Sequence, residues 1–179
     1  MTAPRSSPAE AGSAHAQGSL AASPPSRPRP PTEAGAVLLS IMPRWAEMIL
    51  DGRKTVEIRR RSPGVRRGDV LALYASGTRR AVVGSALVRR VERVAAELVW
   101  GHLRGRGGID RPALEDYLRG CERACLIELE APRAGAAEVL LSQLRRAAPG
   151  FNPPQSARRL RPGLAADRAV LDLLGLWPR

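Results

Sequence analysis

The chain has 179 residues, a formal net charge of +12 and 44% apolar residues, values that fit one domain of moderate size with an accessory segment. No stretch approaches the roughly eighteen apolar residues of a membrane-spanning helix, and Arg5 is followed by Ser, Pro, Glu and Gly rather than an oily leader, so no membrane and a cytoplasmic location are expected. Cys121 and Cys125 stand too close for a disulfide framework and with His102 make no metal-ligand spacing, so both read as packing cysteines and neither metal nor cofactor is expected.

Residues 1–36 contain no Phe, Trp, Tyr, Ile or Val and a single Leu. Such Pro-, Ala- and Ser-rich sequence buries too little surface to offset ordering entropy and reads as a disordered tail. The tail holds +1 of the charge (Arg5, Arg27 and Arg29 against Glu10 and Glu33), so the positive surface belongs to the rest. One domain is expected over 37–160, with a C-terminal helical extension over 161–179.

The apolar run Val37 to Ile41 predicts a buried first strand. Pro43 suits a first helical position, Trp45, Met48 and Ile49 recur at helical spacing, and Gly52 suits a left-handed cap, so Pro43 to Asp51 is one amphipathic helix. From Lys54 the period becomes two, with Val56 and Ile58 on one face and Thr55, Glu57 and Arg59 on the other. A basic loop, Arg60 to Asp69, leads to a buried strand from Val70 to Ser76. Ala81 to Val94 is a long strand-like segment in which Gly84 marks a bulge or close backbone approach. Helices are expected over Ala95 to Arg104 and, capped by Asp110, over Arg111 to Arg119. A strand from Ala124 to Glu130 follows, then a helix over Glu138 to Arg146, a loop over Pro149 to Gln155 and a helix over Asp167 to Leu176. Strands interrupted irregularly by helices favour an α+β arrangement around a small mixed β-barrel with flanking helices, over a doubly wound sheet.

Lys54 is the only lysine beside 28 arginines. Arginine offers a permanently charged planar fork, lysine a compact ammonium whose pKa falls on burial, so a lysine kept in arginine-rich sequence points to a position requiring that group. Glu57 and Arg59 lie about 7 Å apart along one strand face, close enough to meet or to clasp one ligand.

Gly52-x-Lys54-x-x-Glu57-x-Arg59 resembles the G-x-K-x-x-E-x-R signature of ASCH domains, members of the PUA-like superfamily of small β-barrels. Leu39-Ser40-Ile41 with Pro43, Gly68-Asp69-Val70 through Tyr74-Ala75-Ser76, Val83-Gly84 and Pro153-Pro154-Gln155-Ser156 extend the likeness over about residues 37 to 160. Ala157 stands where one subgroup of the family has an aromatic. The resemblance implies recognition of RNA or a modified nucleobase in a cleft between the first helix and the barrel, with Ser40, Lys54, Thr55, Glu57, Arg59, Tyr74, Ser76 and Gln155 as candidate ligand-binding residues and Lys54 at the mouth.

The leading expectation is a monomeric binding module for RNA or a nucleotide-like small molecule, its backbone contacts supplied by Arg60, Arg61, Arg66, Arg67, Arg158 and Arg159. Trp45 and Tyr74 are candidates to stack on bases. Whether the protein is an enzyme is left open. The enzymatic alternative is an amidohydrolase of N4-acetylcytidine type, with Lys54, Thr55 and Glu57 catalytic; the threonine nucleophile of such enzymes falls three residues after the lysine, where this chain has Glu57. A third alternative is a transcription-linked adaptor.

Overall fold

The structure, a computed structural model, describes residues 35–175. The expected disorder of the tail lies outside the described residues, as does Trp177. In chain order the elements are β1 (Ala36–Ile41), α1 (Pro43–Leu50), β2 (Val56–Arg59), β3 (Val70–Ala75), β4 (Ala81–Ala95), α2 (Val99–Leu103), α3 (Arg111–Leu118), β5 (Arg123–Leu140), α4 (Leu141–Ala147), β6 (Ala157–Arg159) and α5 (Ala165–Leu173). This is the α+β class expected from the sequence.

All six strands belong to one sheet in the order β2-β5-β4-β3-β1-β6. Its edges, β2 and β6, are not paired with each other, so the expected barrel is an open sheet rather than a closed ring. Among the described residues only β1 and β3 run parallel, with Ser40 opposite Tyr74 and Ile41 opposite Ala75. A parallel pair must be covered on both faces, and this explains the unbroken apolar run of β3. Leu71, Leu73 and Ala75 pack with Ala46 and Ile49 of α1 on one face. Ala72 and Tyr74 pack with Leu144 of α4, Phe151 and Val170 of α5 on the other. A third cluster joins Val56 and Ile58 of β2 to Val99, Leu103, Leu114 and Leu118 of α2 and α3.

Two features depart from the sequence pattern. β5 does not stop near Glu130 but continues to Leu140, and the helix expected from Glu138 starts at Leu141. Ala131, at φ 46°, and Pro132 fall where the pairing with β4 shifts between Ser85 and Leu87, so the proline sits in a bulge where no ladder amide is needed. The three-residue strand β6 pairs with β1 at Leu39–Ala157, Leu38–Arg158 and Val37–Arg159; so short a segment has no period to read. Gly84 is the close approach expected of it: a Cβ there would lie 2.4 Å from the Arg133 carbonyl oxygen and 2.7 Å from Leu50 Cδ2.

Candidate functional site

The site begins with the alternation of β2. Val56 and Ile58 are held in the third apolar cluster, and this turns Glu57 and Arg59 to the opposite face. Lys54 enters from the end of α1, its amide bonded to the Met48 carbonyl at 2.7 Å after Gly52 turns the chain at φ 80°. Its side chain is only 4% exposed. The ammonium donates to the Gly107 carbonyl at 2.6 Å and the Val56 carbonyl at 2.9 Å, and it pairs with Glu57 Oε2 at 3.2 Å. Three acceptors match its three protons. Burial lowers its pKa below the ordinary lysine value, and the Glu57 charge opposes the shift.

From Glu57 the network continues outward. Glu57 Oε1 accepts from Arg59 Nε at 2.8 Å, and Arg59 Nη2 donates to the Ser40 carbonyl at 2.8 Å. Ser40 Oγ donates to the Pro154 carbonyl at 2.6 Å, and Ser76 Oγ to the Ile41 carbonyl at 3.1 Å. These groups lie where the parallel strands β1 and β3 end. A cleft of about 710 Å³ opens there, within the range of small-ligand sites.

One wall of the cleft is Met42, Arg44 and Trp45 at the start of α1, and another is the Pro153-Pro154-Gln155 loop. The third is Gly107 and Ile109 with Ala113, Asp116 and Tyr117 of α3. The Asp110 carboxylate caps α3 by accepting from the Ala113 amide at 2.8 Å, as its position before the helix implied. The loop carrying Gly107 is pinned to β2, because the Arg106 carbonyl accepts from the amides of Thr55 and Val56 at 3.0 and 3.1 Å. The Arg44 guanidinium stacks 4.3 Å from the Trp45 ring centroid. Burial raises the pKa of the Tyr74 phenol, with Arg80 opposing, and that of Tyr117, with Arg59 opposing.

The structure thus brings together Ser40, Lys54, Glu57, Arg59, Tyr74, Ser76 and Gln155 around one cleft. Lys54 lies in its floor rather than at its mouth. Thr55 does not line it: β2 begins only at Val56, so the strand alternation does not govern Thr55, whose main chain bonds Arg106 and Leu129 instead. Arg60 and Arg61 border a second cavity of about 560 Å³, which shares Arg59 and Tyr117 with the first. Arg60 donates to Cys121 Sγ at 2.9 Å and to the Arg119 carbonyl at 3.0 Å.

Arg66 and Arg67 are exposed in the loop before β3. Arg158 and Arg159 are placed otherwise. Arg158 pairs with the fully buried Asp167, and Arg159 grips the fully buried Asp69 through Nη1 at 3.1 Å and Nη2 at 2.9 Å. The wall from Gly107 to Tyr117 was not foreseen. The glycine-dense run Gly105-Arg106-Gly107-Gly108 was its available signal: Gly108 sits at φ 68°, where a Cβ would approach Met48 Cε to 2.8 Å.

Residues 39–126 match the family model of the ASCH domain. An ASCH domain-containing ribonuclease of Zymomonas mobilis is 28% identical over 124 residues, 69% of this chain and 83% of that protein. The crystal structure of ASCH from the same organism superposes with a TM-score of 0.70 at 26% identity, covering 76% of this chain and 95% of that one. A tyrosine-to-phenylalanine variant of it gives 0.71 at 25% identity, covering 78% and 98%, and a serine-to-alanine variant gives 0.69 at 25%, covering 77% and 94%. Signature, sheet and relatives agree: the chain is an ASCH domain protein.

Proposed function

We propose that this protein binds RNA and seats a nucleotide in the cleft at the ends of β1 and β3. The observation that carries this reading is that two cavities adjoin at Arg59 and Tyr117, which line both, one walled by Trp45 and Tyr117 and the other by Arg60 and Arg61. An aromatic-walled pocket beside an arginine-lined one suits a base and the backbone that follows it. The ribonuclease relative supports RNA as the ligand class.

Cleavage is the second reading, and a specific observation favours it. The cleft is lined by three hydroxyl-bearing residues, Tyr74, Ser40 and Ser76, and a tyrosine phenol is protonated at neutral pH. Tyrosine and serine are also the residue types replaced in the solved variants of the relative. A protonated phenol can supply a proton to a leaving 5′ oxygen.

The test incubates the protein with a labelled single-stranded oligoribonucleotide, its DNA counterpart and N4-acetylcytidine, following complex formation, chain scission and acetate release. Saturable binding of the RNA is expected, with scission, if present, lost in Tyr74→Phe while binding persists. Binding of none of the three at low salt refutes the RNA reading, and release of acetate replaces it with the amidohydrolase.

A further inference from the structure

Arg59 stands at the junction of the two cavities. Two of its three nitrogens are engaged, Nε on Glu57 and Nη2 on the Ser40 carbonyl, and Nη1 has no hydrogen-bond partner among the described residues. Among those residues no buried side-chain nitrogen or oxygen lacks a partner. Nη1 is therefore open to solvent although the side chain as a whole is only 15% exposed. A guanidinium fixed through two nitrogens with the third facing solvent is a preorganised anion donor.

Lys54 is built the opposite way. All three of its protons have acceptors within the protein, so a ligand oxygen would have to displace the Val56 or Gly107 carbonyl or Glu57. Its effect on a ligand passes through Glu57, which it holds at 3.2 Å while Glu57 holds Arg59 at 2.8 Å.

We propose that the phosphodiester joining the nucleotide in the main cleft to its neighbour in the arginine-lined groove sits on Arg59 Nη1, and that Lys54 is a positioning residue that orients Arg59 through Glu57. This rests on the RNA reading above and assigns the roles within it. The signature then works as a relay: a buried cation fixes an anion, and the anion aims a second cation.

The experiment measures binding of a single-stranded oligouridylate as a function of salt in a double-mutant cycle. One arm is Arg59→Gln. The other replaces Lys54→Met together with Glu57→Gln, a charge-neutral pair that avoids stranding a buried carboxylate; melting curves confirm that each variant is folded. Arg59→Gln is expected to make the salt dependence shallower by about 0.7 in log K against log salt, one single-strand phosphate contact. The Lys54/Glu57 pair is expected to weaken binding about tenfold when Arg59 is present, the lower end for a hydrogen bond to a charged group. In the Arg59→Gln background the same pair is expected to cost less than about twofold, because the residue it orients is gone. Losses that multiply in the combined variant, or a salt slope unchanged by Arg59→Gln, overturn the assignment while leaving RNA binding intact. Failure of the wild type to bind the oligouridylate at low salt overturns the RNA reading itself and the assignment with it.

Discussion

Arg159→Ala separates a structural arginine from a nucleic-acid contact. Asp69 is fully buried and accepts four hydrogen bonds: from the Gly35 amide at 3.0 Å, the Arg66 amide at 2.8 Å, and the two terminal nitrogens of Arg159 at 3.1 and 2.9 Å. Removing the arginine leaves a buried carboxylate with two amide donors. Breaking a fully buried pair costs about 3–5 kcal/mol. Arg159 is 40% exposed, so water screens the pair and enters when the side chain is removed, which reduces the expected loss to about 2 kcal/mol. For a unit of this size each kcal/mol lowers Tm by about 2–4 °C, giving a fall of about 4–8 °C by calorimetry. Oligoribonucleotide affinity measured well below Tm should stay within about twofold of wild type. A Tm within about 1 °C of wild type, together with a salt dependence shallower by one phosphate contact, would refute this reasoning and return Arg159 to the backbone-binding surface.

Two further predictions concern the sheet and the buried lysine. Gly84→Ala puts a methyl 2.4 Å from the Arg133 carbonyl oxygen and 2.7 Å from Leu50 Cδ2; a loss of about 1–3 kcal/mol in urea denaturation is expected, and an unchanged midpoint would mean that β4 and β5 are not this close. Because the folded-state pKa of Lys54 is depressed by burial, the unfolded chain keeps that proton longer as pH rises towards the ordinary value of 10.5, so wild type should gain stability relative to Lys54→Met across that interval. A stability difference that is flat or falls with pH would contradict the burial of the ammonium.

The parts of the molecule written in local pattern were legible. Pro43, Trp45, Ile49 and Gly52 mark α1 and its end, and the change to a period of two after Lys54 places Glu57 and Arg59 on one face. The floor of the cleft could therefore be named from one octapeptide and its resemblance to a family signature. The walls could not, because Gly107 and Tyr117 are tied to the cleft by hydrogen bonds with Lys54 and with Ile58 of β2, 53 and 59 positions away in the sequence. The partner of Arg159 was hidden for a related reason. Arg159 looks like any other surface arginine until Asp69, ninety residues away, is placed beside it. Likewise Pro132 reads as a strand end, and only the pairing of Arg133 with Ser85 shows that the strand resumes.

The pairing of β6 with β1 has a consequence for the nascent chain. Ser40, which presents its carbonyl to Arg59, is itself held by Ser156 and Pro154, more than a hundred residues later. At about 5–20 residues per second of synthesis, β1, α1 and the Lys54 segment leave the ribosome on the order of ten seconds before the residues that close the cleft. Through that interval the chain exposes a cationic signature with no assembled pocket around it. On the RNA reading proposed above, its affinity for the RNA-rich surface from which it emerges is then confined to loose charge attraction, and selective binding is expected only once β6 has docked.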